Sequence, residues 1–183
     1  MTPKEWGPII WYLIHIITYG IPNDEYFKNY SNYYFQFFHS LKKIIPCPIC
    51  RKHLGKMINN NDLLKCSTKE EIIIWCIDIH NQVNKRLSKS QITKDEIDKL
   101  YSTVNLNKLI KSIDILTYNF QMRFPINCYK NFFDSLRIVF PIESIRLLYQ
   151  EGMKQNNIKV RNHNDLIKWY MNLGNYIVSN LKT

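Results

Sequence analysis

Apolar residues recur along this chain at intervals of three and four, and no stretch alternates apolar with polar for long. That rhythm predicts helices throughout and almost no sheet. Residues 1–20 read as the first helix. Thr2 can cap it, Pro3 suits its first position, and Glu5 stands near its positive end. Gly7, Trp11 and His15 are four apart and share one face. Residues 24–44 carry Tyr26, Phe27, Tyr30, Tyr33, Tyr34, Phe37, Phe38, Leu41 and Ile44 at helical spacing, an amphipathic helix rich in rings. Ile45 and Pro46 break it, because the residue before a proline is pushed out of the helical region. A third helix is expected from about Cys47 to Asn59, with Pro48 in its first turn and Asn59 to Asp62 as the following turn. Ser67, with Glu70 three residues later, reads as the capping box of a fourth helix running from Thr68 to about Leu87. That helix buries Ile72, Ile73, Trp75, Cys76, Ile79 and Val83 and carries His80, Asn81 and Asn84 among them. Amides are poor mid-helix residues, so this pair asks for a reason. Thr93 and Glu96 then open a short acidic helix ending near Tyr101.

Beyond it, four more apolar series continue the helical pattern: Leu106 to Phe120, Cys128 to Phe140, Pro141 to Gly152, and Leu166 to Leu181. They hold no repeat, no metal-ligand spacing and no catalytic constellation. The chain is therefore expected to be all-α, with a helical array over residues 1–103 and a helical extension of unknown role over 104–183.

Composition narrows the partners. The apolar fraction of 45% supplies a core. The formal net charge of +10 would suit nucleic acid or an anionic surface, but no cluster of cations is interleaved with aromatics as a strand-binding groove requires. No nucleic acid is expected. The run from Ile9 to Tyr19 is too short and too punctuated to span a bilayer, and Pro3, Glu5 and Pro8 stand where a signal peptide would need other residues. A protein without stable membrane insertion, on the cytosolic side, is the expectation.

The candidate chemistry lies in Pro46-Cys47-Pro48-Ile49-Cys50. Two thiols three positions apart can form half of a zinc site, sit as inert core thiols, or cycle as a disulfide. Zinc would need His53 with Cys66 or Cys76 to complete four ligands, and there is no second CxxC. A redox role gains from the position, since a helix N-terminus stabilises a thiolate. A dithiol pair alone only exchanges electrons with other thiols, so making new disulfides requires a final acceptor. Trp11 with His15, and Trp75 with His80, Asn81 and Asn84, offer the rings and amides that a flat heterocyclic cofactor needs. They also suit an ordinary core, and the residues alone leave the two readings about even.

Three segments in order resemble the Erv/ALR family of FAD-linked sulfhydryl oxidases, in particular the short branch found in large cytoplasmic DNA viruses of the African swine fever virus type. Gly7, Trp11 and His15 are similar to the family's opening G-x3-W-x3-H helix. Pro46, Cys47 and Cys50 are similar to its P-C-x-x-C segment. Trp75, His80, Asn81, Val83 and Asn84 are similar to its W-x4-H-N-x-V-N helix. The resemblance covers about residues 3–103. It implies a four-helix bundle holding FAD at its mouth, closed by a short fifth helix. It also implies that Cys50 lies next to the flavin and that Cys47 is the outer partner that meets a client.

Trp11 and His15 would line the cofactor, and His80 and Asn84 would contact its adenine end. Trp75, Asn81, Val83 and Lys85 would lie around them, with Gly7, Leu87, Lys89 and Tyr101 completing the site and Lys89 as a phosphate contact. Electrons would pass from a client dithiol through the CxxC pair and the flavin to molecular oxygen, releasing hydrogen peroxide, with no metal involved. The implied clients are viral thiol proteins, met in the host cytoplasm at the viral factory or in the virion. The implied assembly is a homodimer, with Tyr30, Tyr34, Phe37 and Phe38 as its seam. The family's second disulfide is not carried over, because Cys76 directly follows Trp75 where that pattern places a cysteine two positions on.

Overall fold

The computed structural model describes residues 2–60, 63–118 and 126–181. The helices are α1 (Pro3–Tyr19), α2 (Asp24–Ile44), α3 (Pro48–Asn60), α4 (Lys69–Arg86), α5 (Lys94–Tyr101), α6 (Leu106–Tyr118), α7 (Ile126–Val139), α8 (Glu143–Gln155) and α9 (His163–Asn180), with one short 3-10 turn at Leu63–Lys65. No strand occurs among the described residues. Asn61 and Asp62 of the expected turn, and Phe120 of the sixth apolar series, lie outside the described residues.

Local chemistry explains the helix ends. The Glu5 carboxylate accepts from the Thr2 backbone N–H, closing the start of α1. Asn23 caps α2 by accepting from the Tyr26 N–H at 2.8 Å. The start of α4 differs from expectation by one residue. Thr68, not Ser67, is the cap, and its hydroxyl accepts from the Glu71 N–H at 3.2 Å. Glu71 rather than Glu70 reaches back, taking the N–H groups of both Ser67 and Thr68. Both registers read as S/T-x-x-E, and the one realised lets a single carboxylate satisfy two backbone donors.

In the first half of the chain, α1 packs on α4 and α5, α2 on α3, and α3 on α4. The second half does not stand apart from it. The α7 helix lies along α2 and α6 along α1, while α8 packs between α7 and α9. The rings of Phe37 and Phe132 face each other with centroids 5.5 Å apart. Tyr26 Oη donates to the Ile138 carbonyl at 2.7 Å, and Gln36 Nε2 donates to the Asn131 carbonyl at 2.8 Å. Arg137 donates to Tyr33 Oη at 2.8 Å while its guanidinium lies over the Tyr33 ring. At Gly20 the backbone of α1 approaches Pro141 so closely that a Cβ would sit 2.2 Å from the Pro141 Cβ, which leaves room only for glycine.

This contact overturns the expected dimer seam. Tyr34, Phe37 and Phe38 are 2% exposed or less, and only Tyr30 of that set remains at the surface. Phe37 faces α7, and Phe38 turns inward onto Trp75 with centroids 4.8 Å apart. An amphipathic helix shows which face seeks cover but not what covers it, and here the cover comes from the same chain. Among the described residues, no helix is long and apolar enough to cross a membrane.

Candidate active site

Cys47 and Cys50 form a disulfide at the start of α3. Cys47 immediately precedes Pro48, the first helical residue, and stands in the capping position. Its Sγ accepts from the Cys50 N–H at 3.1 Å and its carbonyl from the Arg51 N–H at 2.9 Å. When the pair is reduced, that N–H and the helix dipole favour negative charge on the Cys47 sulfur. Arg51 donates to the Ile45 carbonyl at 2.7 Å and so ties the redox loop back to the end of α2.

Both cysteines open on a cavity of about 600 Å³ between α1, α3 and the end of α4, within the size range of cofactor sites. Its flat wall is Trp11 stacked on His80, with centroids 3.9 Å apart and planes 7° from parallel. Val83, Leu87, Ile92 and Leu100 give apolar surface, and Lys4, Arg86, Lys89 and Lys108 add positive charge. Among the described residues, no carboxylate lines it.

Behind the stack, His15 is fully buried, and its Nε2 lies 2.9 Å from His80 Nδ1. One proton serves this contact. If His15 Nε2–H donates, the buried His15 Nδ1, which no described group bonds, is left as a bare acceptor. The opposite assignment would strand a buried N–H donor, the costlier choice. The first assignment also leaves His80 Nε2 as the protonated nitrogen. His15 thus sets the tautomer of His80 from behind, and Tyr101 packs 5.0 Å from its ring.

Both histidines titrate low. Burial, then the neighbouring His80, pushes His15 down to about 3. Burial, then Lys89, pushes His80 down to about 4. The unfolded chain, with ordinary imidazoles near 6.5, therefore binds more protons between pH 4 and 6.5. Stability is complete above about pH 6.5 and falls as acid is added through that window. For His15 the loss is about 2 kcal/mol by pH 5. The thermal midpoint, followed by circular dichroism, is expected to drop from pH 7 to pH 5. In His15→Gln that slope is expected to flatten, and an equal slope in the variant counts against the assignment.

The cavity takes in most of the residues expected from sequence and omits four. Gly7, Trp11, Cys47, Cys50, His80, Val83, Asn84, Leu87, Lys89 and Tyr101 line it. His15 lies behind the lining, and Trp75 is buried against Phe38. Lys85 is exposed on another face of α4. Asn81 plays a different part, for its amide donates to the Ile92 carbonyl at 2.9 Å and accepts from the Ile92 N–H at 2.8 Å. Asn84 donates to the Ser90 carbonyl at 3.1 Å. The two amides fold the segment after α4 back against the helix, which explains their mid-helix position. Ser88 takes a φ of 52° in that turn, between Leu87 and Lys89 of the lining.

Sequence reasoning missed Lys4, Tyr12, Arg86 and Lys108. Arg86 stands three residues after Val83 and so shares its face, a signal that was present. Lys108 belongs to α6, beyond every motif, and reaches the cavity by lying over the Tyr12 ring at 4.7 Å. The ligands of a zinc reading do not converge, since the described residues contain no group of three or more His, Cys, Asp or Glu able to hold a metal ion.

The sequence profile of the Erv1/Alr family matches residues 8–102. The chain belongs to the Erv1/Alr family. The match spans α1 to α5 and every lining residue from Pro8 to Tyr101. Among Erv1/Alr relatives, the chain is 33% identical over 113 residues to a probable FAD-linked sulfhydryl oxidase of Acanthamoeba polyphaga mimivirus, covering 59% of this chain and 77% of the relative. It is 28% identical over 105 residues to the FAD-linked sulfhydryl oxidase of an African swine fever virus isolate (Tick/Malawi/Lil 20-1/1983), covering 57% and 87%. A putative FAD-linked sulfhydryl oxidase of Invertebrate iridescent virus 3 is 28% identical over 100 residues, covering 54% and 67%. No solved structure matches the chain.

Proposed function

We propose that this protein is an FAD-linked sulfhydryl oxidase that forms disulfides in client proteins. The observation that carries the reading is the Cys47–Cys50 disulfide opening on the same cavity as the Trp11–His80 stack, in a chain of this family. An aromatic plane, an apolar floor and cations without carboxylates fit a flat heterocycle joined to phosphates. Trp11, His80, Val83 and Leu87 would hold the rings, Asn84 would serve the adenine end, and Lys89 with Arg86 would face the pyrophosphate. Gly7 has open space where a side chain would stand, leaving the wall clear. When bound, FAD supplies a two-electron acceptor that hands electrons to molecular oxygen and yields hydrogen peroxide.

The protein's own part is thiol exchange. A client thiolate attacks Cys47 Sγ, the Cys47–Cys50 bond breaks, and Cys50 leaves as a thiolate inside the cavity. The client's second thiolate then attacks the mixed disulfide at the client sulfur. The client disulfide forms and Cys47 is released, so two client thiols are oxidised as the protein pair is reduced. His15 supports His80 from behind and Tyr101, on the cavity lining, packs on His15, while Trp75 and Asn81 keep α4 and its following turn in place. In this reading residues 1–103 carry the cysteines and the ring wall, and residues 104–183 support the site and add Lys108 to it. The clients are viral thiol proteins of the host cytoplasm and the virion. A homodimer would pair through a face other than the one α7 covers.

Purified protein is expected to be yellow, with a flavin band near ~450 nm. It should consume oxygen when given a dithiol and release one peroxide per disulfide formed. A folded, colourless protein that cannot take up FAD would sink the reading.

A further inference from the structure

The cations beside the cysteine loop lie in a stretch of the sequence that holds no carboxylate. Between Glu25 and Asp62 the chain has no acidic residue, yet beyond Lys28 near the start of α2 it carries Lys42, Lys43, Arg51, Lys52 and Lys56. All five sit at the end of α2 or on α3, the two helices joined by the cysteine loop. Lys43, Lys52 and Lys56 are exposed. The ion pairs among the described residues lie away from this segment: Lys94 with Glu70 and Asp98, Arg137 with Asp134, Arg146 with Glu143, and Lys154 with Glu151. Among the described residues, no ion pair involves Lys43, Lys52 or Lys56. Between the two cysteines, Ile49 stands 66% exposed. An apolar knob thus sits between the two sulfurs, with Lys52 and Lys56 three and seven residues on along the same face of α3 and Lys43 at the end of α2 completing a collar of positive charge.

We propose that this collar is the client-docking surface and that it takes a dithiol segment flanked by aspartate and glutamate. The proposal rests on the oxidase reading above. Like charge in the collar repels basic clients, and opposite charge raises the encounter rate of acidic ones. The same field favours the thiolate form of the incoming client cysteine, which is the attacking species. These 183 residues hold no second CxxC, so a client or a separate thiol carrier meets this surface.

The experiment uses the flavin-loaded full chain and three reductants: dithiothreitol, a Cys-x-x-Cys peptide flanked by acidic residues, and the same peptide flanked by lysines. At low salt the acidic peptide is expected to show a kcat/KM at least ~10-fold above the basic one. The gap should close in about 1 M salt, where the screening length is about 3 Å. The triple variant Lys43→Glu, Lys52→Glu, Lys56→Glu is expected to reverse the preference and to keep dithiothreitol turnover within about twofold, since a neutral substrate feels no steering. Equal kcat/KM for the two peptides, or a preference that survives in the triple variant, overturns the proposal. An oligonucleotide whose binding is lost in the triple variant, with no peptide preference, overturns it in favour of nucleic acid. Absence of dithiothreitol oxidation in the parent overturns the oxidase reading itself, and the docking proposal with it.

Discussion

Cys50→Ala is expected to abolish dithiol-driven oxygen consumption while the flavin absorbance of the purified protein keeps its parental intensity. Two features make the loss total. The disulfide is the protein's oxidant toward a client, and a single remaining thiol at Cys47 cannot form it. Cys50 is also half-buried on the cavity wall, and no third cysteine is there to stand in: Cys76 and Cys128 are buried in α4 and α7, and Cys66 does not line the cavity. The cofactor should stay because its proposed holders, Trp11, His80, Val83 and Leu87, lie on α1 and at the end of α4. Cys47→Ala is expected to differ in one respect. It loses turnover with peptide dithiols but leaves the thiol on the wall, so small thiols retain slow turnover. Oxygen-electrode rates beside visible spectra of the two variants decide the matter. Peptide turnover surviving in Cys50→Ala would remove that cysteine from its role.

Ending the chain after Thr103 is expected to give unfolded or aggregated protein. The cut strips α7 from α2 and α6 from α1, exposing Tyr34 and Phe37, which the whole chain holds at 1% exposure or less. It also removes Leu109, Phe132, Phe133 and Leu136, each fully buried. Burial of a large apolar side chain contributes about 1.5–3 kcal/mol, and domains are stable by only about 5–15 kcal/mol, so losing several such contacts exceeds the margin. Phe37→Ala in the full chain isolates the effect and should cost about 3–5 kcal/mol. Denaturant unfolding measures the point variant, and gel filtration with circular dichroism measures the truncation. A monodisperse, yellow 1–103 fragment would show instead that the first half folds and binds alone.

How much of this was legible in the sequence depends on range. Helix ends were readable where a capping box marks them, as at Thr2 with Glu5 and Thr93 with Glu96, while Asn23, which caps α2, was not singled out. The start of α4 slipped by one residue because Ser67-Thr68 and Glu70-Glu71 offer two equal registers. The cysteine pair and the separate residues Trp11 and His80 were picked out by motif spacing, but the stacking of Trp11 on His80 between two helices is a tertiary fact that the spacing did not show. Lys108 and the covered face of α2 were not readable. Both depend on how residues beyond 104 fold back onto the bundle, and no local pattern carries that information. Asn81 shows the intermediate case: its oddness in a helix was visible, but its partner Ile92 was not.

The pairing of α2 with α7 has a consequence for sequence change. Where a buried face is covered by a second copy, one substitution alters both sides of the interface at once. Here Phe37 and Phe132 are separate codons of one reading frame. A change in one can be answered by a change in the other, and the two are inherited together. Positions along α2 and α7 should therefore drift as coupled pairs, while the loop carrying Cys47 and Cys50, a few residues from the end of α2, stays under its own separate constraint.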